Sequence, residues 1–329
     1  MTRSVETATR AAPERASVAA LDADRSPRLL PQSPPAQRAG ARPTRASAGR
    51  RLRDALRYPL SSASFVTGFV LLLLIALAAL FAGRLAGPDP LDMVAAPFLW
   101  PGQDAANPLG TDMMGRDMLA GIIYGARVSL QIGLLAGVLA SVVGLLVGAA
   151  SGYFGGWVDD VLMRVTEVFQ TMPALLFTIV LVVVLQPTIA SIVLGLSLTS
   201  WPQVARLVRA DTLRLRHSEF VQAAVGLGMG DFAILRTHVL PNVLPAAVAM
   251  ISLLAGNAIL TEAVLAFLGL GDPNVVSWGS MIGSGREALR TAWYMTALPG
   301  AAVFVTVIAL NLLGNGLNDL VNPRNRRRR

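Results

Sequence analysis

The chain has 329 residues, 53% of them hydrophobic and only 15% charged, with a formal net charge of +8 and a mean hydropathy of +0.56. An ordinary soluble domain has roughly 45–50% apolar residues with glycine included and about 25% charged residues, so this balance points away from a single soluble globular domain. With no cysteine and only two histidines, His217 and His238, the chain has no disulfide framework, thiolate metal site or cysteine nucleophile, and too few histidines for a histidine-rich metal site.

Residues 1–57 come first and stand apart. They carry 12 of the 28 basic residues, all arginine, against five acids, amid alanine, proline and serine and without a sustained apolar period. Such a composition buries too little apolar surface to offset the entropy of ordering, which predicts a disordered cytoplasmic tail near anionic lipid. Residues 58–325 read as one membrane domain, closed by a basic tail at 326–329.

A hydrocarbon core about 30 Å thick needs roughly 20 mostly apolar residues per helix. Six runs meet that need, at about 65–83, 128–150, 168–185, 189–208, 246–268 and 297–317. The second contains Gly133, Gly137, Gly144 and Gly148, two small-xxx-small pairs that permit close helix approach in lipid. Gln186-Pro187 separates the third run from the fourth. The expectation is an all-α polytopic membrane protein with six transmembrane helices, since each span must satisfy its own backbone polar groups. With both termini inside, the cytoplasmic segments hold 23 arginines and the outer segments five, so the charge bias places both termini in the cytoplasm. The net positive charge then marks topology, and no nucleic-acid partner is expected.

Between the fourth and fifth runs lies a polar segment, 209–245. It reads as a short helix, a glycine-permitted turn at Gly226 to Gly230, and a second helix stopped by Pro241. Residues alone leave two readings open: a docking surface for another protein, or an amphipathic linker on lipid. Within the spans, Asn257 and Glu262 in the fifth, read as lying about one turn apart on one helix face, and Asn311 in the sixth are polar. Such groups should face protein or a water-filled path, so a translocation pathway and a structural role between helices are both open.

Gln222-Ala223-Ala224, then Gly228, then His238-Val239-Leu240-Pro241 resembles the EAA loop of binding-protein-dependent ABC importers, with Gln222 in the usual Glu position and His238 in the aliphatic slot. Further segments are similar to the dipeptide, oligopeptide and nickel permease subfamily, and to its C-type member: Asn107 to Asp112 with Gly115-Arg116-Asp117, Gly125 to Leu130, Gly152 to Asp159, Phe267 to Gly271 with Ser277-Trp278-Gly279, and Gly314 to Asp319 with Asn322-Pro323-Arg324. The resemblance runs from about 65 to 325.

It implies a type I ABC importer permease fold in a prokaryotic inner membrane. The expected partners are a second homologous permease subunit, two ABC ATPase subunits, an extracytoplasmic substrate-binding protein and membrane lipid. It implies import of di- or oligopeptides, with nickel, glutathione or another small solute as alternatives. Gln222, Ala223, Ala224 and Gly228 would form the ATPase-docking surface, and His238, Leu240 and Pro241 would hold the loop against the fifth span. The chain is not expected to be an enzyme or to bind a cofactor. It has no lysine and hence no Gly-x-x-x-x-Gly-Lys phosphate loop, so ATP and magnesium are expected on the ATPase subunits. An ion-gradient transporter should show paired intramembrane charges, and a membrane enzyme should show a catalytic cluster; neither pattern is evident.

Overall fold

The computed structural model describes residues 63–87 and 89–321, so the predicted tail at 1–57 and the basic segment at 326–329 lie outside the described residues. Among the described residues the chain is helical, with isolated β-bridges and no longer strand. In order, the helices are α1 (Ala63–Leu80), α2 (Ala82–Leu85), α3 (Met118–Phe154), α4 (Gly156–Thr171), α5 (Ala174–Leu185), α6 (Ile189–Arg216), α7 (Glu219–Gly226), α8 (Asp231–Ile234), α9 (Leu240–Phe267), α10 (Trp278–Gly285) and α11 (Tyr294–Val321). A π turn, Leu235–Val239, joins α8 to α9.

Among the described residues four stretches are long and apolar enough to cross a membrane: Ala63–Leu80, Met118–Phe154, Asp231–Phe267 and Tyr294–Asn318. The pair α4 and α5 passes the same test together but is bent by 85°. Helix α6 covers the fourth predicted run and has 28 residues, yet Pro202, Gln203 and four arginines lower its apolar content. The arrangement is compatible with six spans.

Two expectations change. The third run, 168–185, is not one helix. Pro173 cannot donate a backbone hydrogen bond and holds Met172 extended, so the run breaks into the end of α4 and all of α5. Nor does Pro241 stop a helix. It directly follows the π turn, where the Leu240 N–H already bonds five residues back to the Leu235 carbonyl, so the wider turn takes up the ring and the missing N–H and the helix runs from Asp231 through to Phe267.

The glycines of α3 set the packing. A Cβ on Gly133 would meet Ile259 and the Ala255 carbonyl at 2.8 and 2.9 Å, and one on Gly137 would stand 2.9 Å from the Ile251 carbonyl. On Gly144 it would stand 2.5 Å from Val204 Cβ and 2.8 Å from the Trp201 carbonyl, and Gly148 and Gly152 meet α6 as closely. The two predicted small-xxx-small pairs therefore address different helices, α9 first and α6 second. At its end α3 turns through Gly155 and Gly156, both at positive φ (66° and 52°), a conformation that costs glycine nothing.

Contacts also fix the sides of the bundle. Gly316 near the end of α11 lies against Phe65 at the start of α1, and Gly314 against Ser252. The described ends of α1 and α11 thus share a side with the 209–245 segment. The far side holds the 89–117 loop, the α5–α6 turn, where Asp272 Oδ2 accepts from the Ile189 N–H at 3.2 Å, and α10.

Candidate coupling surface and polar residues of the spans

The 209–245 segment is anchored before it projects. Its first eight residues extend α6, whose Arg209 makes a two-pronged pair with Asp159 of α4 at 2.6 and 2.6 Å. These donors hold the Asp159 carboxyl below the usual carboxylate range, and Asp159 in turn keeps the guanidinium charged. Ser151 at the end of α3 donates to the same carboxylate. The loop then folds back on the ends of α3 and α6. Val221, Ala224, Ile234, Val239 and Val243 are buried in one cluster with Tyr153 and Val208, and the Tyr153 hydroxyl donates to Asp231 Oδ1 at 2.9 Å.

This burial divides the predicted docking residues. Gln222 and Ala223 are exposed, and Gln222 Nε2 is bonded back to the Arg216 carbonyl at 3.0 Å. Ala224 is only 5% exposed and faces the chain's own core, because Val221 and Ala224, three residues apart, share one face of α7. Gly228 is exposed at φ +78° with open space around it, so its requirement is for backbone conformation rather than room. Of the residues expected to hold the loop, Leu240 packs against the cluster, and His238 is half-buried with its ring 6.2 Å from that of Phe220. Pro241 is exposed.

Large apolar side chains are also exposed on this loop. Leu227 is 84% exposed and Phe232 74%, one on each side of the Gly228–Gly230 turn, with Phe220 and Val225 also exposed. A reading centred on small residues passed over them; the signal was there in two large apolar residues bracketing a glycine turn in an otherwise polar segment. An exposed apolar edge on a rigid base suits seating in another protein's groove.

The polar residues of the spans separate. Five residues advance a helix by about 140° beyond a full turn, so Asn257 and Glu262 do not share a face: Asn257 is exposed and Glu262 is 1% exposed. Asn311 is half-buried on α11. Glu262 accepts a 2.6 Å hydrogen bond from Ser277, the residue that caps α10. Beside it Trp278 donates through Nε1 to the Ile122 carbonyl at 2.9 Å, and a Cβ on Gly279 would come within 2.7 Å of Ala263 Cα. Glu262 and Ser277-Trp278-Gly279 thus form one buried joint among α9, α10 and α3.

The far-side loop is folded by its own motif. Thr111 is fully buried, donating to the Ala96 carbonyl at 2.6 Å and accepting from the Leu99 N–H at 3.0 Å. Tyr294 donates to the carbonyls of Leu99 and Thr111, and Asp117 caps α3 through the N–H groups of Leu119 and Ala120. Asp104 accepts from the Ala106 N–H and from Asn107, which holds its carboxyl low.

The sequence pattern of the binding-protein-dependent transport system inner membrane components matches residues 140–327, more than half of the chain. The chain belongs to this family. A Brucella suis protein named as a peptide transport system permease is 38% identical over 263 residues, covering 79% of this chain and 88% of its own. The glutathione transport system permease protein of Pectobacterium atrosepticum is 35% identical and the dipeptide transport system permease protein of Alkalihalophilus pseudofirmus 33% identical. Each aligns over 224 residues, covering 68% of this chain and 74% of the relative. The chain is accordingly a permease component of a binding-protein-dependent importer, an inner-membrane protein with several spanning helices.

Proposed function

We propose that this permease is one half of an ATP-driven importer for di- or oligopeptides, and that the 209–245 loop couples closure of an ATPase subunit to movement of the spans. ATP and magnesium act on two separate ATPase subunits. A second permease completes the pore, and an extracytoplasmic binding protein delivers the substrate. The arginine bias supports a cytoplasmic side for both termini and the loop. This chain's part is mechanical: it has no lysine for a phosphate loop and performs no hydrolysis.

The observation that carries the coupling reading is the contrast within the loop. Tyr153, Asp231, Val221 and Ala224 fix its base to the ends of α3 and α6, while Leu227 and Phe232 stand out from it. A push on those two side chains reaches both helices without passing through a flexible connection. Gln222, Ala223 and Gly228 complete the exposed surface beside them; His238, Leu240 and Pro241 form the step into α9.

The double variant Leu227→Ser with Phe232→Ser leaves the buried base intact. It should insert and pair normally, bind the ATPase at least tenfold more weakly, and lose stimulation of ATP hydrolysis by peptide-loaded binding protein. Unchanged stimulation would remove the coupling role. The peptide substrate is supported by the relatives named for peptide and dipeptide transport, and a glutathione reading by the relative named for that solute. Comparing stimulation by binding protein loaded with a dipeptide, with glutathione or with a nickel chelate decides among them.

A further inference from the structure

The bend between α4 and α5 opens a recess of about 850 Å³ against α6, and its polar wall is Gln170, Thr199, Gln203 and Arg206. On α6, Thr199, Gln203 and Arg206 follow at spacings of four and three residues and so share one face. The opposite face, Trp201, Val204, Ala205 and Val208, is buried on the α3 glycines. Polarity on α6 is thus sorted into a stripe, and that stripe looks into the recess. Phe169 holds the opening in place, with its ring edge-on to Phe177 of α5 and Trp201 of α6 at 6.1 and 5.4 Å between centroids. Straightening the bend is opposed by Pro173, which cannot supply the missing helical hydrogen bond.

Arg206 is exposed in this recess, and the ion pairs among the described residues use other arginines: Arg164 with Glu167, Arg209 with Asp159, and Arg214 with Asp211. Glu167, one turn before Gln170, is therefore already engaged. A snorkelling arginine that reaches lipid headgroups needs polarity only at its tip. Here Gln203, one turn further along the helix, is exposed as well, while Thr199 a turn beyond donates its hydroxyl to the Gly195 and Leu196 carbonyls of its own helix. Glutamine side chains facing hydrocarbon are costly, so the face is built for water. An amide both donates and accepts, as a peptide group requires, and a guanidinium matches a carboxylate.

We propose that this recess is the cytoplasmic mouth of the translocation path, and that Arg206 with Gln203 forms a subsite there for the carboxylate of the departing solute. The proposal rests on the importer reading for the solute, whereas the hydrated cationic recess can be measured without it. This chain has no cysteine, so an introduced cysteine is its one thiol, and labelling is read on this chain after it is separated from its partners. Inside-out vesicles holding the assembled transporter are treated with anionic and cationic methanethiosulfonate reagents of matched size.

Gln203→Cys should react about tenfold faster than Leu74→Cys, an exposed leucine of α1, and faster with the anionic reagent than with the cationic one. Adding Arg206→Gln should lower that anionic preference about threefold. Dialanine on the cytoplasmic side should slow the reaction, and dialanine amide should not. Gln170→Cys, on the other wall, serves as the reporter if the Gln203 variant does not assemble. Labelling as slow as at Leu74→Cys would overturn the proposal, because the face would then be covered by lipid or by the second permease. An anionic preference that Arg206→Gln leaves unchanged, or equal protection by acid and amide, would overturn the carboxylate subsite. Stimulation of ATP hydrolysis in the same vesicles reads the coupling role separately.

Discussion

Gly144 offers the sharpest test of how α3 positions the loop. A methyl group placed on it would lie 2.5 Å from Val204 Cβ, 2.8 Å from the Trp201 carbonyl and 2.9 Å from the Ala205 N–H. An ordinary carbon–carbon contact is ~3.5–4.0 Å, so α3 and α6 must part by about 1 Å or deform. Two of the three obstacles are backbone, which no rotamer change relieves. Overpacking of this kind costs ~1–3 kcal/mol. Glycine to alanine in a helix also returns ~0.5–1 kcal/mol of backbone entropy, and that part must be cancelled. Gly300→Ala on α11 cancels it, since nothing lies within 4 Å of that position. Gly144→Ala should therefore be ~1–3 kcal/mol less stable than Gly300→Ala, a factor of roughly 5 to 150 in the folded ratio. The comparison is made by SDS or thermal unfolding of the purified permease pair. Because α6 continues without a break into the 209–245 segment, Gly144→Ala should also weaken the link between ATP hydrolysis and uptake. If the two variants unfold together, the close α3–α6 approach does not hold this protein's fold.

Two further outcomes follow from the polar joints. The Asp159 carboxyl, held low chiefly by Arg209, stabilises the fold fully above the unfolded carboxyl value of ~3.9 and loses that effect as pH falls through its lower folded value. The stability gap between the natural chain and Asp159→Asn should thus be constant from neutral pH down to about pH 5 and close only below about pH 4; a gap that closes near neutrality would assign it to another group. At Glu262, Gln keeps an acceptor for Ser277 and should be tolerated, whereas Ala strands the Ser277 hydroxyl and should cost ~1–3 kcal/mol in unfolding. A Gln variant of normal stability with altered substrate preference would instead place Glu262 on the transport path.

The helical membrane fold was legible because lipid imposes one simple demand, a run of apolar residues long enough to cross, and composition reports such runs directly. What was hidden depended on which face a residue takes. Ala223 and Ala224 look alike in a string, but the hundred degrees between successive helical positions puts one in solvent and the other in the core. Asn257 and Glu262 were paired by proximity in sequence and are parted by the same rotation. Pro173 and Pro241 carry identical chemistry with opposite results, since one follows a residue forced extended at the 85° bend and the other follows a π turn through which the helix continues. The glycines of α3 gave a true signal of close packing, yet the partner of each pair is a property of the assembled bundle. This bears on the loop as well. A motif in a string gives the order of residues and not their faces: within the 209–245 segment the fold leaves Leu227 and Phe232 exposed and buries Ala224, so a partner proposed for this loop would meet the two large side chains rather than the second alanine.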